Sequence, residues 1–257
     1  MSDAVTVTRQ GAVTTLTINR PDAMNALDRG VHTALQAGLR EAEDAAVRCV
    51  VITGAGRAFC AGQDLNEVED AERPLGELLE ETYHPTVRSI RALRKPVLAA
   101  LNGAAAGAGL SLALACDVRV ASDKAVLVPG FAGIGLVPDA GGTWFLERLL
   151  GYGRAFEWMC SNRRLSAEEA LAWGLVSEVV PADGFEARVR EVAEAWAAMP
   201  TGAVAGTKAL LAGAHAHSLE EQLAAEAEEQ TVAAASADFA EGVAAFLEKR
   251  PPRFSGR

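Results

Sequence analysis

Residues 95–117 read KPVLAALNGAAAGAGLSLALACD, and their interpretation decides the architecture of the chain. From Val97 to Cys116 the run is almost wholly apolar and about one membrane span long. Yet Asn102-Gly103, a turn dipeptide, interrupts it, and Gly107 and Gly109 follow in a stretch built mainly from alanine. Val97–Leu101, opened by Pro96, therefore reads as a buried strand, and the small-residue stretch after the turn reads as a buried helix.

The same alternation extends outward in both directions. Upstream, Cys49–Thr53 (CVVIT) is a short β-branched run ending at Gly54, and Asp28–Glu43 carries leucine and alanine at helical spacing with Asp28 placed to cap it. Val5–Thr8 and Val13–Ile18 flank Gln10-Gly11 and predict a hairpin. Downstream, Val118–Ala121 and Ala125–Val128 predict further short strands. Beyond Gly141 the pattern turns helical, over roughly 142–150, 152–160, 166–173, 182–198, 201–213, 218–234 and 236–248. Strand and helix in alternation predict an α/β class, with a layered core over 1–195 and a helical C-terminal region over 196–257. Glu67–His84 is acidic and interrupted by Pro74 and Gly76. It reads as a mobile segment or a loosely packed helix, suited to facing a substrate.

Composition narrows the partners. A formal net charge of −10, from 24 basic and 34 acidic residues, argues against a nucleic-acid partner, which needs a basic face. The first residues, MSDAVTVTRQ, lack a basic run followed by an apolar core, so no secretory signal is expected. The four cysteines are widely spaced and form no CxxC or Cys/His cluster, which predicts reduced thiols, a cytoplasmic setting and no metal site.

Three segments stand out together: Gly56–Leu65 (GRAFCAGQDL), Lys95–Asp117, and Gly133–Trp144 (GIGLVPDAGGTW). Each sets small residues beside a strand end and a helix start, where exposed N–H groups are suited to negative charge. Singly, each is an ordinary glycine-rich turn. In this order, and with Ile18–Leu27 (INRPDAMNAL) and Phe246–Arg250 (FLEKR), the chain resembles the crotonase (enoyl-CoA hydratase/isomerase) superfamily over nearly its whole length. The resemblance implies a crotonase-like spiral of ββα units. It also implies a C-terminal helical region that builds homotrimers, commonly paired into hexamers. The expected substrate is an acyl-CoA thioester, with no membrane, no nucleic acid and no separate cofactor.

The resemblance further implies two backbone amides aimed at the thioester oxygen, which map to Gln63 and Ala108. Donors fixed where negative charge develops bind the transition state better than the ground state. Enoyl-CoA hydratases of this family use two glutamates to handle water. The matching positions here are Ser111, in GAGLSL, and Phe131, in PGFAGIGL, so neither carboxylate is present. Asp139, in VPDAGGTW, stands where hydratases usually have glycine, and it resembles the subgroup that isomerises ring-1,2-epoxyphenylacetyl-CoA. On sequence alone Asp139 is also well placed as a helix N-cap. By position Asp139 is expected to be catalytic, with Phe131 and Trp144 as apolar neighbours.

Arg20, Met24, Ala26, Ala61, Asp64 and Leu65 map to the coenzyme A channel, with Asp64 read first as a loop-stabilising Asx turn. Phe246 and Lys249 match tail residues that reach coenzyme A, often from a neighbouring subunit. Cys60 has no histidine near it in sequence and reads as a small buried residue. His84 reads as a surface histidine that stands in the candidate lid, and His215 and His217 carry no visible site. The leading expectation is an acyl-CoA isomerase, with a hydratase of the same fold and an Asp-nucleophile hydrolase or dehalogenase as alternatives.

Overall fold

A computed structural model describes residues 4–69 and 74–257 of the chain. Its first sheet begins with β1 (Val5–Gln10) and β2 (Val13–Ile18), an antiparallel hairpin turning at Gly11, where φ is +57°. Helix α1 (Arg29–Glu41) leads to β3 (Cys49–Gly54), and the short β4 (Ala58–Cys60) leaves for a second sheet. Two short helices, α2 (Asn66–Glu69) and α3 (Leu75–Leu78), a π-helical turn over Leu79–Tyr83 and α4 (His84–Ala92) return the chain to β5 (Val97–Leu101). The pattern repeats with β6 (Ala104–Ala106) and α5 (Ala108–Ala115), then with β7 (Val118–Ser122), β8 (Val126–Val128), α6 (Gly142–Leu150) and α7 (Tyr152–Ser161). A long strand in one sheet, a short strand in the other and then helix form the ββα unit that the sequence predicted.

Among the described residues the first sheet runs β1-β2-β3-β5-β7-β10, where β10 is Glu178–Val180, and every pair after the hairpin is parallel. The second sheet runs β4-β6-β8-β9, closed by the antiparallel β9 (Leu165–Ser166) ahead of α8 (Ala167–Ala172). The central strands β3 and β5 are buried on both faces, which is why they read as unbroken apolar runs rather than alternating ones. Alternation survives as a choice of core. Val50, Ile52, Val97, Ala99 and Leu101 join the main core, whereas Cys49, Val51, Leu98 and Ala100 join a smaller one. The smaller core is closed by α9 (Phe185–Ala198), which offers Phe185, Val189, Ala193 and Ala197 at helical spacing. This helix crosses the boundary placed at 195.

Helices α10 (Thr201–Gly213), α11 (Leu219–Ala234) and α12 (Ala237–Glu248) follow. Lys208 docks α10 on the core. Its ammonium lies 2.8 Å from Asp117, which also pairs with Arg91 and accepts the Val97 N–H. The tail after α12 turns back. Asp238 accepts the N–H groups of Ser255 and Gly256, and Arg48 donates to the Phe254 carbonyl. Among the described residues no helix is long and apolar enough to cross a membrane. Val97–Cys116 resolves into strand β5, a turn and helix α5, with the unexpected short strand β6 between turn and helix.

The turn after β2 is held by one side chain. Asn25 is fully buried in a left-handed conformation, φ +58°. Its Nδ2 donates to the carbonyls of Ala55 (2.9 Å) and Ala58 (2.7 Å), and its Oδ1 accepts from the Arg20 N–H (3.0 Å). Asn25→Ala removes all three bonds and leaves buried carbonyls unmatched. Urea unfolding is expected to show a loss of about 2–4 kcal/mol, larger than a surface substitution gives.

Candidate active site

The C-terminal ends of β4 and β6, paired in parallel with Cys60 opposite Ala105, deliver two turns to one place. After β4, Gly62 sits at φ +99° with its Cα against the start of α5: a Cβ there would stand 2.9 Å from the Ala106 carbonyl oxygen and 3.4 Å from the Ala108 nitrogen. Only glycine permits this approach. A single parallel bridge to Leu27 fixes the outgoing chain, because Leu27 donates to the Gly62 carbonyl and accepts from the Asp64 N–H. Strand geometry then turns the Gln63 N–H the opposite way. Ala108 is the first residue of α5, and amides in a first turn have no intrahelical acceptor. The two amides named from the sequence are thus neighbours, at the positive end of a helix that is buried throughout.

Asp139 precedes α6 of the third unit, which packs on α5. Gly142, the first residue of α6, packs so tightly on α5 that an added Cβ would lie 2.6 Å from Ser111 Oγ. Ser111 is one turn along α5 from Ala108, so the approach to α6 lies over the site. Ala140 and Gly141, at φ +48° and +81°, bend the chain just before the helix. Ala140 pays a conformational cost that a regular helix entry would avoid.

Asp139 does not cap α6, contrary to its position in sequence. Gly141 is the cap residue and makes no side-chain bond, while Asp139 offers only its backbone carbonyl, to the Gly142 N–H at 2.8 Å. Its Oδ1 is buried without a partner. Burial pushes its carboxyl up from 3.8 to about 6, partly offset by its own backbone N–H. Such a group titrates where acid–base catalysis at neutral pH needs it.

The remaining expected residues divide. Arg20, Met24, Ala26, Ala61, Asp64 and Leu65 gather along the two adjoining loops. Arg20 pairs with Asp64 (2.8 Å) and Asp28 (3.0 Å) and donates to the Ala26 carbonyl. The Met24 carbonyl accepts the Ala61 N–H, and Leu65 is exposed. Asp64 also accepts from the Asn66 amide and side chain, the Asx turn expected. The Arg20 guanidinium, and then those bonds, hold its carboxyl below the usual range. Phe131 is buried. Trp144 departs from expectation: it is 42% exposed, with the Arg148 guanidinium 3.7 Å above its ring, because the phase of α6 turns it outward. The high pKa of Asp139 comes from burial rather than from this indole.

Phe246 and Lys249 stand apart. They lie at the end of α12, whose tail is anchored to Arg48 just before β3, at the opposite end of that strand from the two turns. Cys60 is buried, and desolvation pushes its thiol up to about 12, as suits a packing residue. His84 is half-buried at the start of α4, and His215 and His217 are exposed. Within the Glu67–His84 segment, residues 70–73 lie outside the described residues, and Thr82 and Tyr83 are buried. The sequence reading missed Tyr83 and its neighbour His32. The available signal was a histidine on the apolar stripe Val31, Leu35, Leu39 of α1. Among the described residues, no group of three or more His, Cys, Asp or Glu is placed to hold a metal.

This geometry agrees with comparison against known proteins. A family model described as enoyl-CoA hydratase/isomerase matches residues 8–257. The chain belongs to the enoyl-CoA hydratase/isomerase family. It is 46% identical over 242 residues to a probable enoyl-CoA hydratase of Rhodobacter capsulatus, covering 94% of each chain. It is 42% identical over 250 residues to 1,2-epoxyphenylacetyl-CoA isomerase of Escherichia coli, covering 95% of each. The crystal structure of an enoyl-CoA hydratase from Polaromonas sp. JS666 superimposes with a TM-score of 0.92 at 37% identity, over 97% of this chain and 99% of that one. The family assigns this enzyme to CoA-thioester chemistry, and its members include both hydratases and isomerases.

The raised pKa of Asp139 has a sign that stability measurements detect. A carboxyl raised in the folded state favours folding while protonated, below about pH 4, and that advantage is lost as pH rises through about 6. At roughly 1.4 kcal/mol per unit, the ionised side chain costs about 2–3 kcal/mol at pH 8. Asp139→Asn is therefore expected to unfold later than the natural chain at pH 8, with the difference vanishing near pH 4 in parallel denaturant titrations.

Proposed function

We propose that the enzyme is an acyl-CoA isomerase in which Asp139 moves a proton along a thioester held by the amides of Gln63 and Ala108. The observation that carries this reading is the lone carboxylate. Asp139 is half-buried and keeps Oδ1 without a partner, and the resemblance matches Ser111 and Phe131, neither of them a carboxylate, to the positions of the hydratase glutamates. In a 3-enoyl thioester, Asp139 takes a proton from C2 and electron density flows to the thioester oxygen. The two N–H groups stabilise that oxygen, each donor contributing about 3–4 kcal/mol to the transition state. The same carboxyl then returns the proton at C4, giving the 2-enoyl isomer with no atom gained or lost. The thioester itself is the electron sink, so the scheme requires no metal and no separate cofactor.

Arg20, Met24, Ala26, Ala61, Asp64 and Leu65 line the proposed path for coenzyme A, and Phe131 walls the acyl side. The similarity to 1,2-epoxyphenylacetyl-CoA isomerase supports a ring-epoxide phenylacetyl thioester as an alternative to an enoyl one. Hydration is the second reading, favoured by the similarity to a probable hydratase and opposed by the missing carboxylate pair.

Product mass separates these readings. Purified enzyme is expected to convert 3-enoyl-CoA or ring-epoxide phenylacetyl-CoA with unchanged mass; gain of one water establishes hydration instead, and free coenzyme A establishes hydrolysis. Asp139→Asn is expected to lose about 10²–10⁴-fold in kcat/KM, the usual worth of a positioned acid–base group. For the natural chain, kcat/KM is expected to rise with pH through about 6, because the reaction starts from the ionised carboxylate. A flat profile from pH 5 to 8 overturns the assignment.

The oligomeric state enters the same proposal. Phe239, Val243, Phe246 and Leu247 leave one face of α12 apolar, with Phe246 82% exposed. This exposed face supports the reading in which Phe246 and Lys249 reach coenzyme A bound by a neighbouring copy. We infer a homotrimer or a pair of trimers. Light scattering after gel filtration is expected to give three or six times the 26.8 kDa chain mass, and Phe246→Asp with Leu247→Asp is expected to give monomers.

A further inference from the structure

Tyr83 is 3% exposed, yet its hydroxyl has no partner. Two groups that bear on it also bury an unmatched atom: His32 Nε2, whose ring lies 4.1 Å away, and Asp139 Oδ1, whose charge acts on the phenol. A buried donor left unsatisfied is costly, so such atoms point to a ligand that matches them. Burial first, and then the charge of Asp139, followed by Cys60, Glu67 and Asp28, push the Tyr83 phenol far above the usual tyrosine range. It is therefore a donor, never an anion, and it feels Asp139 without bonding to it.

The surroundings fix how this donor is presented. Pro85 has no N–H to offer the Glu81 carbonyl and its ring crowds that oxygen. The turn before it widens, so that the His84 N–H bonds back to Leu79 and the segment Leu79–Tyr83 is π-helical. Such turns recur at functional sites. The His32 ring lies 4.1 Å from the Tyr83 ring. Thr86 donates its hydroxyl hydrogen to the Thr82 carbonyl and so must accept from both of its other partners, Gln36 Nε2 and His32 Nδ1. His32 therefore carries its proton on Nδ1. Burial lowers its pKa to about 4, and the neutral ring keeps Nε2 as an unused acceptor.

We propose that Tyr83 determines specificity: its hydroxyl donates a hydrogen bond to an oxygen carried on the acyl group, so the site selects hydroxy-, epoxy- or cyclic-ether acyl-CoA thioesters over plain hydrocarbon chains. This rests on the CoA-thioester reading above and adds a second oxygen to the substrate. A hydrocarbon acyl group fills the space but leaves Tyr83 unmatched in the complex. A site built to bond a substrate oxygen discriminates strongly against the analogue lacking it.

Equilibrium binding of matched thioesters tests the proposal without turnover. The pairs are 2-hydroxyphenylacetyl-CoA against 2-methylphenylacetyl-CoA, and 4-hydroxybutanoyl-CoA against pentanoyl-CoA, each exchanging hydroxyl for methyl. By calorimetry the natural chain is expected to bind the hydroxyl member of at least one pair about tenfold more tightly, and Tyr83→Phe is expected to erase that preference while leaving the methyl member's Kd unchanged. The thermal midpoint of Tyr83→Phe is expected to be equal or higher, because the deleted hydroxyl has no partner within the protein. No preference in the natural chain, or equal weakening of both members by Tyr83→Phe, overturns the role of Tyr83 and leaves the isomerase reading standing. Failure of every thioester to bind overturns both. A lowered midpoint for Tyr83→Phe assigns the hydroxyl to folding and overturns the proposal.

Discussion

The approach of Gly62 to the first amide of α5 is the constraint on which the site depends. Two strand-to-helix turns from successive ββα units must meet without an intervening side chain, because a Cβ at Gly62 would press on the Ala106 carbonyl. Everything around the contact serves to hold it. Asn25 ties the first loop to the residues entering and inside β4, and Asn102 donates to the Gly56 and Ala58 carbonyls from the next strand. The Leu27 bridge then sets which way the Gln63 amide points. Parallel pairing of β4 with β6 is what places the turns side by side in the first place.

Around this rigid contact the protein keeps polar atoms without partners. Asp139, Tyr83, Gln63, His32 and Ser111 each bury such an atom, and all but Ser111 belong to segments outside α5. A core selected for stability alone would have matched or removed them. Their retention fits a cavity whose complement arrives with the ligand. The strained entry to α6 at Ala140 belongs to the same economy, since it holds Asp139 off the helix terminus where it would otherwise be stabilised as an anion.

The fold was legible because the central strands β3 and β5 are buried on both faces and α1 and α9 carry regular apolar stripes. The strands over Cys49–Gly54 and Val97–Leu101 and the helices from Gly142 onward follow the reading of the residues closely. The short strands β4, β6, β9 and β10 escaped, since two or three residues carry no readable period. The two turns were legible only as an ordered set of three motifs, because a glycine-rich turn has no distinguishing mark of its own. Trp144 was misplaced by proximity in sequence: the residue lies close to Asp139 along the chain, but helix phase directs its ring to solvent. Tyr83 was hidden for the opposite reason. It ends an acidic stretch that reads as exposed, and only Pro85 hints that the helix there is wound wider than usual.

That wider winding has a consequence for how the site can change. A π turn is an α-helix that has accommodated one additional residue. Loss of a single residue from Leu79–Tyr83 would let the helix close to its regular pitch and swing whatever precedes Pro85 by about 100° around the axis. On the proposed role of Tyr83, a one-codon deletion there would then exchange the side chain that meets the acyl group, a coarser and faster route than point substitution, while the two turns and Asp139 stay in place.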